Sequence, residues 1–479
     1  MPRKGPDGAY RYRSIAADIL TRIEAGHWLL GERLPSVRQL MQEQGASMST
    51  IVRALLSLES AGRIRSVPRS GWRVAQAPLP DTGMSWYTST TGVASDVSIN
   101  RLVVQLLSSV SDGSMLSMGT TAIDQSLLPL KALKRALLAV ARQPGELALS
   151  ASLSPLGDHG LRVQIAKLMA TRGVRVTPDE VVITSGDGVS LEVALQLIAP
   201  PGSVVAVESP AYFGTLQALE NLGLKAIEIA TDSRTGIDLT VLAEALQRHP
   251  IRALVVTPTC QNPFGSLMPP DAKAGLLALA EQHDLAIIED DLYGELYYRD
   301  PRPAALKAND SSRRVIYCSS LSRTLSPGWR IGWMIPARWR DRFLEQKIVR
   351  ANSASSLPQV VLAHYLSGRG AMRHLADLRA IFYAQMPRVR SLIAAHFPPG
   401  TRVTEPQGGY VFWIELPPHI NAIALAEAAF RQGISIAPGP IFSATQGFQN
   451  CIRLSIGTVL TPRIEEGIAV LGALASGTA

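Results

Sequence analysis

Six short stretches of the chain gather side chains suited to holding a small anion. "SSLSRTLSPGWR" places Ser320, Ser322, Arg323 and Arg330 in one loop, hydroxyl donors interleaved with guanidinium groups. "EDDLYGEL" carries Asp290, Asp291 and Tyr293, and "TPTCQNPFG" puts Asn262 before Pro263. "ESPAYFG" supplies Tyr212, "SGDGVS" supplies Gly186, Asp187 and Gly188, and "NCIRLSIG" supplies Arg453. A guanidinium is always charged and pairs bidentately with carboxylate or phosphate, so the arginine-bearing loops select anions. Taken one at a time, each stretch also has an ordinary reading: Asn-Pro makes turns, and Asp at a strand end caps the next turn.

Their placement in the chain strengthens the first reading. Seven apolar, β-rich runs lie beyond residue 97: "EVVITSG", "SVVAVESP", "KAIEIAT", "ALVVTPT", "LAIIEDD", "RVIYCSS" and "RIGWMIP". Helical stretches such as "GVSLEVALQLIA" and "PDAKAGLLALAEQH" lie between several of them. That alternation predicts an α/β layer architecture with a mostly parallel sheet. In such sheets ligands sit at the carboxyl ends of strands, where Asn262, Asp290 and the Ser320–Arg330 loop all fall. A smaller C-terminal α+β piece comes last, from "LPQVVLAHYLSGRG" to "CIRLSIG".

The first 75 residues differ in kind. Ile15, Ile19 and Ile23 share a helical face that ends at Gly26. Pro35 and Ser36 start a second helix, which Gly45 stops. A third helix buries Ile51, Ala54, Leu55 and Leu58, and "RIRSVPRSGWRV" reads as a two-stranded ribbon. Three short helices and a basic hairpin predict a winged helix-turn-helix whose third helix enters the major groove. The charge agrees. The whole chain is +8, and residues 1–75 hold twelve Lys/Arg against six Asp/Glu, a net +6. A basic module on a nearly neutral body points to a polyanion partner.

Residues 76–96 lose apolar periodicity and read as a linker. The remainder, 97–479, is one domain with a large part at about 125–350 and a small part at about 351–479. Hydrophobic residues at 46% and charged residues at 18% are ordinary for a folded protein. Cys260, Cys318 and Cys451 have no metal spacing and no disulfide pattern, so no metal site is expected and the chain suits a reducing cytoplasm. "MPRKGPDGAYRYR" has no apolar core, and no apolar run is long enough to cross a membrane.

The N-terminal module resembles the GntR family of bacterial regulators through "GERLPSVR", "SMSTIVRA" and the "GRIRSV…GWRV" wing. The resemblance implies that Arg38 contacts phosphate or a base edge. It assigns recognition-helix contacts to Ser47, Met48, Ser49, Thr50 and Arg53, and wing contacts to Arg69, Ser70 and Gly71. Many relatives carry Arg where Met48 stands and a basic residue where Val52 stands, which implies weaker phosphate anchoring here or a thymine methyl read by Met48. The ordered motifs of the rest resemble fold-type I pyridoxal-phosphate aminotransferases. The chain as a whole resembles MocR-type regulators, which join the two. The resemblance implies a homodimer with a site at its interface and a double-stranded DNA operator as partner. It puts the ring-nitrogen carboxylate on Asp290, the ring-oxygen partners on Tyr293 and Asn262, and the stacking aromatic on Tyr212. The phosphate cradle falls on Ser320, Ser322 and Arg330 with the Gly186–Gly188 turn, and the substrate-carboxylate clamp on Arg453.

Three departures fall on the cofactor. The Schiff-base lysine position is Arg323, and a guanidinium neither attacks an aldehyde nor serves readily as a base. Asp187 and Gly188 replace the polar residue and Gln of the phosphate turn, and an Asp there repels a dianion unless it points away. Around Ser150, Ser152 and Ser154 no Tyr is present to reach a neighbouring subunit's phosphate. The expectation is a transcriptional regulator whose aminotransferase-like domain dimerises and senses a small anionic effector. No residue is assigned a catalytic role, and pyridoxal phosphate is non-covalent if bound at all. Two further outcomes stay open: Arg323 filling the pocket by pairing with Asp290, and a pyridoxal-phosphate-dependent aminotransferase with a DNA-binding head.

Overall fold

The computed structural model describes residues 11–24, 27–28, 32–60, 63–67, 71–74, 92–108, 115–142, 154–349 and 354–477. The chain packs as two compact units, one of residues 1–84, 384–403 and 461–479, the other of 85–383 and 404–460.

In the first unit, helices α1 (Arg11–Glu24), α2 (Val37–Gln44) and α3 (Met48–Ser60) precede a hairpin of β1 (Ile64–Val67) and β2 (Gly71–Val74). Local chemistry sets the boundaries of α2. Ser36 and Gln39 form a reciprocal capping box, and Gly45 closes the helix in the left-handed region at φ +55°. Ile15, Ile19, Leu40, Ile51, Ala54, Leu55, Ile64 and Val74 form one buried cluster. Each large aliphatic side chain there contributes ~1.5–3 kcal/mol of burial free energy.

The second unit is built on a mixed sheet. Its spatial order is 95–96, 225–232, 204–209, 251–256, 286–290, 315–320, 332–335, 182–184. Neighbours from 225–232 through 315–320 are parallel; the 332–335 strand is antiparallel to both of its neighbours. All seven strands expected from the apolar runs are present. They read as continuous apolar runs because both faces are covered. Val205, Val207, Ala253, Val255 and Ile288 pack into one cluster, while Ala206, Leu254, Val256 and Ile287 pack into another. Ser95 and Asp96, at the end of the segment read as linker, form an antiparallel edge strand on 225–232.

A small antiparallel sheet of 411–415, 451–455 and 437–438 lies in the same unit. Residues 116–117 pair in parallel with 434–435, which brings an early segment beside this late one. Among the described residues no helix is long and apolar enough to cross a membrane, and no cluster of His, Cys, Asp or Glu could hold a metal ion.

Candidate functional site

Each unit carries one candidate site. On the winged helix, Ser47 precedes α3, and its carbonyl accepts the Ile51 N–H at 3.1 Å. Ser47, Met48, Ser49 and Arg53 are exposed, Met48 at 62%. A thioether that exposed buries nothing within this unit and is available to a groove. Thr50 is half-buried, its Oγ1 2.8 Å from Ser47 Oγ, so it serves the helix start. Arg38 is exposed on α2. The Arg53 guanidinium lies 4.6 Å from the centre of the Tyr12 ring, a cation–π contact that orients it. Gly71 has φ +82°, a conformation only glycine adopts freely. Arg69 and Ser70 lie outside the described residues.

In the second unit, strand ends bring the ligand candidates together. Asp290 ends the 286–290 strand, and Ser320 ends its parallel neighbour 315–320. Ser320 Oγ donates to Ser322 Oγ at 2.8 Å and accepts the Ser322 N–H at 3.0 Å, which fixes the loop that carries Arg323. Gly186, at φ +106°, precedes the helix Asp187–Ile198 and leaves its first amides without a side-chain cap. A Cβ at Gly186 would lie 3.1 Å from Arg330 Nη2, so the missing side chain makes room for that guanidinium. An uncapped helix N-terminus with an arginine against it is an anion cup. Asp187, the first residue of that helix, is itself a carboxylate within electrostatic reach of Asp290, Arg323 and Tyr212.

Arg323 does not form an ion pair with Asp290. Its Nε is buried without a hydrogen-bond partner, and among the described residues no carboxylate is ion-paired with it. The guanidinium lies among Tyr293, Tyr410, Tyr212 and Asp187, which together offset its burial and hold it firmly charged. Burial and the nearby Asp187 and Asp291 carboxylates push Asp290 up to about 7, against an ordinary 3.8, while Arg323 pulls it down. Asp290 Oδ1 is buried without a partner, as is Asn262 Nδ2. Burial pushes the Tyr212 phenol up to about 12.

Arg453 lies at the centre of the small sheet, paired with Trp413 and Ala437, and is fully buried. Its Nη1 donates to Asn262 Oδ1 at 3.2 Å and its Nη2 to the Gly119 carbonyl. Phe442 and Phe213 flank it at 5.1 and 5.6 Å. Its Nε has no partner, and among the described residues no carboxylate is ion-paired with it. Burial lowers its pKa to about 10. A buried cation with only neutral partners is costly and calls for an anion.

Several residues of the site carry no signal in the sequence. Tyr410, whose hydroxyl donates to the Thr121 carbonyl at 2.9 Å, comes from a Gly-Gly-Tyr turn with no motif of its own. The Glu208 carboxylate accepts the Thr257 N–H at 3.0 Å and is pushed up to about 8 by burial. Asp291 parts company with Asp290. It accepts from Arg302 Nη2 at 2.6 Å and Tyr317 OH at 2.6 Å, inside a buried network completed by Arg172 and Glu295. That network anchors the strand end from below, and successive side chains leaving opposite sides of a strand explain the division. Adjacent carboxylates at a strand end are the signal that one of the two is structural.

Residues 11–74 match the family described as bacterial regulatory proteins, gntR family, and residues 114–471 match aminotransferase class I and II. The chain is 36% identical over 468 residues to the HTH-type transcriptional regulator YjiR of Escherichia coli (strain K12), covering 96% of this chain and 98% of that one. It is 27% identical to the probable rhizopine catabolism regulatory protein MocR of Rhizobium meliloti, over 89% and 85% of the two chains. The structure resembles LysN, the alpha-aminoadipate aminotransferase of Thermus thermophilus, solved as a complex with N-(5'-phosphopyridoxyl)-L-leucine. The TM-score is 0.72 at 29% identity, covering 78% of this chain and 94% of that one. A GntR winged helix joined to a fold-type I aminotransferase-like domain defines a DNA-binding transcriptional regulator. The chain belongs to the HTH-type transcriptional regulators that join a gntR-family helix-turn-helix to an aminotransferase class I and II domain.

Proposed function

We propose that this regulator is a cytoplasmic homodimer whose aminotransferase-like unit holds a small carboxylate-bearing anion without a covalent cofactor bond. The observation that carries this reading is Arg453, a fully buried guanidinium with an unpartnered Nε and no ion-paired carboxylate among the described residues. Bound pyridoxal phosphate would supply an electron-withdrawing ring. The ring end of the site fits it: Asp290 Oδ1 is unpartnered where a ring nitrogen would sit, Tyr212 supplies a face, and Tyr293 and Asn262 stand for the ring oxygen. The other two ends do not fit. Arg323 stands where the Schiff-base lysine is expected. Asp187, between the Gly186 and Gly188 that the resemblance assigns to the phosphate cradle with Ser320, Ser322 and Arg330, brings a carboxylate within electrostatic reach of Asp290, Arg323 and Tyr212. A like charge 4 Å away costs about 4 kcal/mol at an effective dielectric near 20. A monocarboxylate at Arg453 and Asn262 avoids that repulsion, so it is favoured over a phosphate dianion.

Ligand binding would then bias how the two DNA-binding heads are held, provided it favours one arrangement of the dimer. The test uses the full-length protein. Thermal shift and calorimetry are run with amino acids, keto acids and pyridoxal phosphate, and absorbance is followed with borohydride reduction. We expect stabilisation by carboxylates and no cofactor retained after reduction and denaturation. A reduced cofactor bound covalently to the wild-type chain would overturn the reading. Amino-group transfer at a steady rate would replace it with an enzymatic one.

A further inference from the structure

Arg323 and Arg453 reach one pocket from different sheets. Arg323 follows the 315–320 strand of the large sheet, and Arg453 lies within the 451–455 strand of the small one. Each has an Nε that is enclosed and without a hydrogen-bond partner. Arg453 donates through its two Nη atoms to Asn262 Oδ1 and the Gly119 carbonyl, whereas no acceptor among the described residues takes a hydrogen bond from Arg323. The Arg323 side chain is only half-buried although its Nε is enclosed, so its outer nitrogens stay accessible. Asn262 adds a further enclosed donor without a partner, Nδ2, beside Arg453. The two guanidinium groups share their surroundings: both lie within electrostatic reach of Tyr212, Tyr293 and Tyr410, and Arg323 within reach of Arg453. Aromatic contacts line the way from one to the other. Tyr212 packs on Phe213 at 4.7 Å, Phe213 lies 5.6 Å from the Arg453 guanidinium, and Tyr293 meets Tyr410 edge to face at 5.7 Å.

We propose that Arg323 is a second carboxylate subsite, and that the ligand of this pocket is a linear dicarboxylate with one end on Arg453 and Asn262 and the other on Arg323. The inference rests on the reading of this pocket as a carboxylate site. One carboxylate offers two acceptor oxygens and can satisfy Arg453 Nε together with Asn262 Nδ2, which leaves Arg323 without an anion. Two like charges in one enclosed pocket repel, and a ligand with a negative group at each end relieves both. The rings that the two arginines share suit contact with methylene groups. Asp187 also faces Arg323, and the single charge of a carboxylate there meets less repulsion than the double charge of a phosphate.

The experiment titrates the full-length protein by calorimetry at about pH 6.5, where ligand carboxylates are ionised and Asp290 is still largely protonated. Succinate, glutarate and adipate are each compared with the monocarboxylate of equal chain length: butyrate, pentanoate and hexanoate. At least one dicarboxylate should bind about 10- to 100-fold tighter than its counterpart, the gain from one further charge-assisted hydrogen bond. In Arg323→Gln that ratio should fall to about one. Wild-type protein that binds the members of every pair equally would overturn the second subsite and leave the carboxylate reading intact. So would a natively melting Gln variant that keeps the wild-type ratio, since the second end would then lie elsewhere. If no member of either series binds, the carboxylate reading itself fails, and the dicarboxylate with it.

Discussion

Asp290 should make the second unit less stable as pH rises, and Asp290→Asn should remove that contribution. The carboxyl is held at about 7 in the folded chain against an ordinary 3.8. Below about pH 4 both states are protonated and Asp290 costs nothing. Between about 4 and 7 the unfolded chain releases the proton while the native chain keeps it, so stability falls. Above about 7 the loss levels off at about 4 kcal/mol, from about 1.36 kcal/mol for each pH step between the two pKa values. Wild type and Asp290→Asn would be unfolded in urea at about pH 5, 6, 7 and 8, following the buried Trp333 and Trp413. The variant should gain on wild type by about 2–3 kcal/mol between about pH 5 and pH 8. Any cost of seating the Asn amide is independent of pH and cancels in that difference. Because Arg323 is the group that pulls Asp290 down, Arg323→Gln should move the wild-type transition to higher pH. A stability difference between wild type and Asp290→Asn that stays flat across this range would refute the account of the pocket's electrostatics.

Three further outcomes are expected. Arg453→Met should leave the fold intact while weakening carboxylate binding by about 2–5 kcal/mol, read as loss of the ligand-induced melting shift. Arg172→Leu leaves the buried Asp291 and Glu295 carboxylates with Arg302 as their one remaining cationic partner in the network and should cost about 3–5 kcal/mol in urea unfolding, followed by the Trp333 signal. Ser36→Ala removes the capping box of α2 and should cost about 1 kcal/mol, whereas Ser36→Asp should restore most of it; circular dichroism melts of both variants check this.

The winged helix was legible because its determinants are local. Capping residues, a left-handed glycine and a helical apolar period define α2 and its neighbours within a few residues of each boundary. The seven strands were legible for a similar reason, since strands buried on both faces must be apolar throughout, and their polar ends mark where a ligand meets the sheet. Sequence alone thus determined the two-part architecture, the regulator class and the set of candidate side chains. Tertiary structure decided what those side chains do. Adjacent Asp290 and Asp291 differ only in which side of the strand they leave, yet one faces the pocket and the other is locked among Arg172, Arg302 and Tyr317. The carbonyl that meets Arg453 comes from Gly119, hundreds of residues earlier in the chain, through a pairing of 116–117 with 434–435. Arg323 has no ion-paired carboxylate among the described residues because three tyrosines surround it, and no spacing in the chain announces that. Such contacts depend on distance in space, and the pattern along a chain records distance in space only where the two coincide.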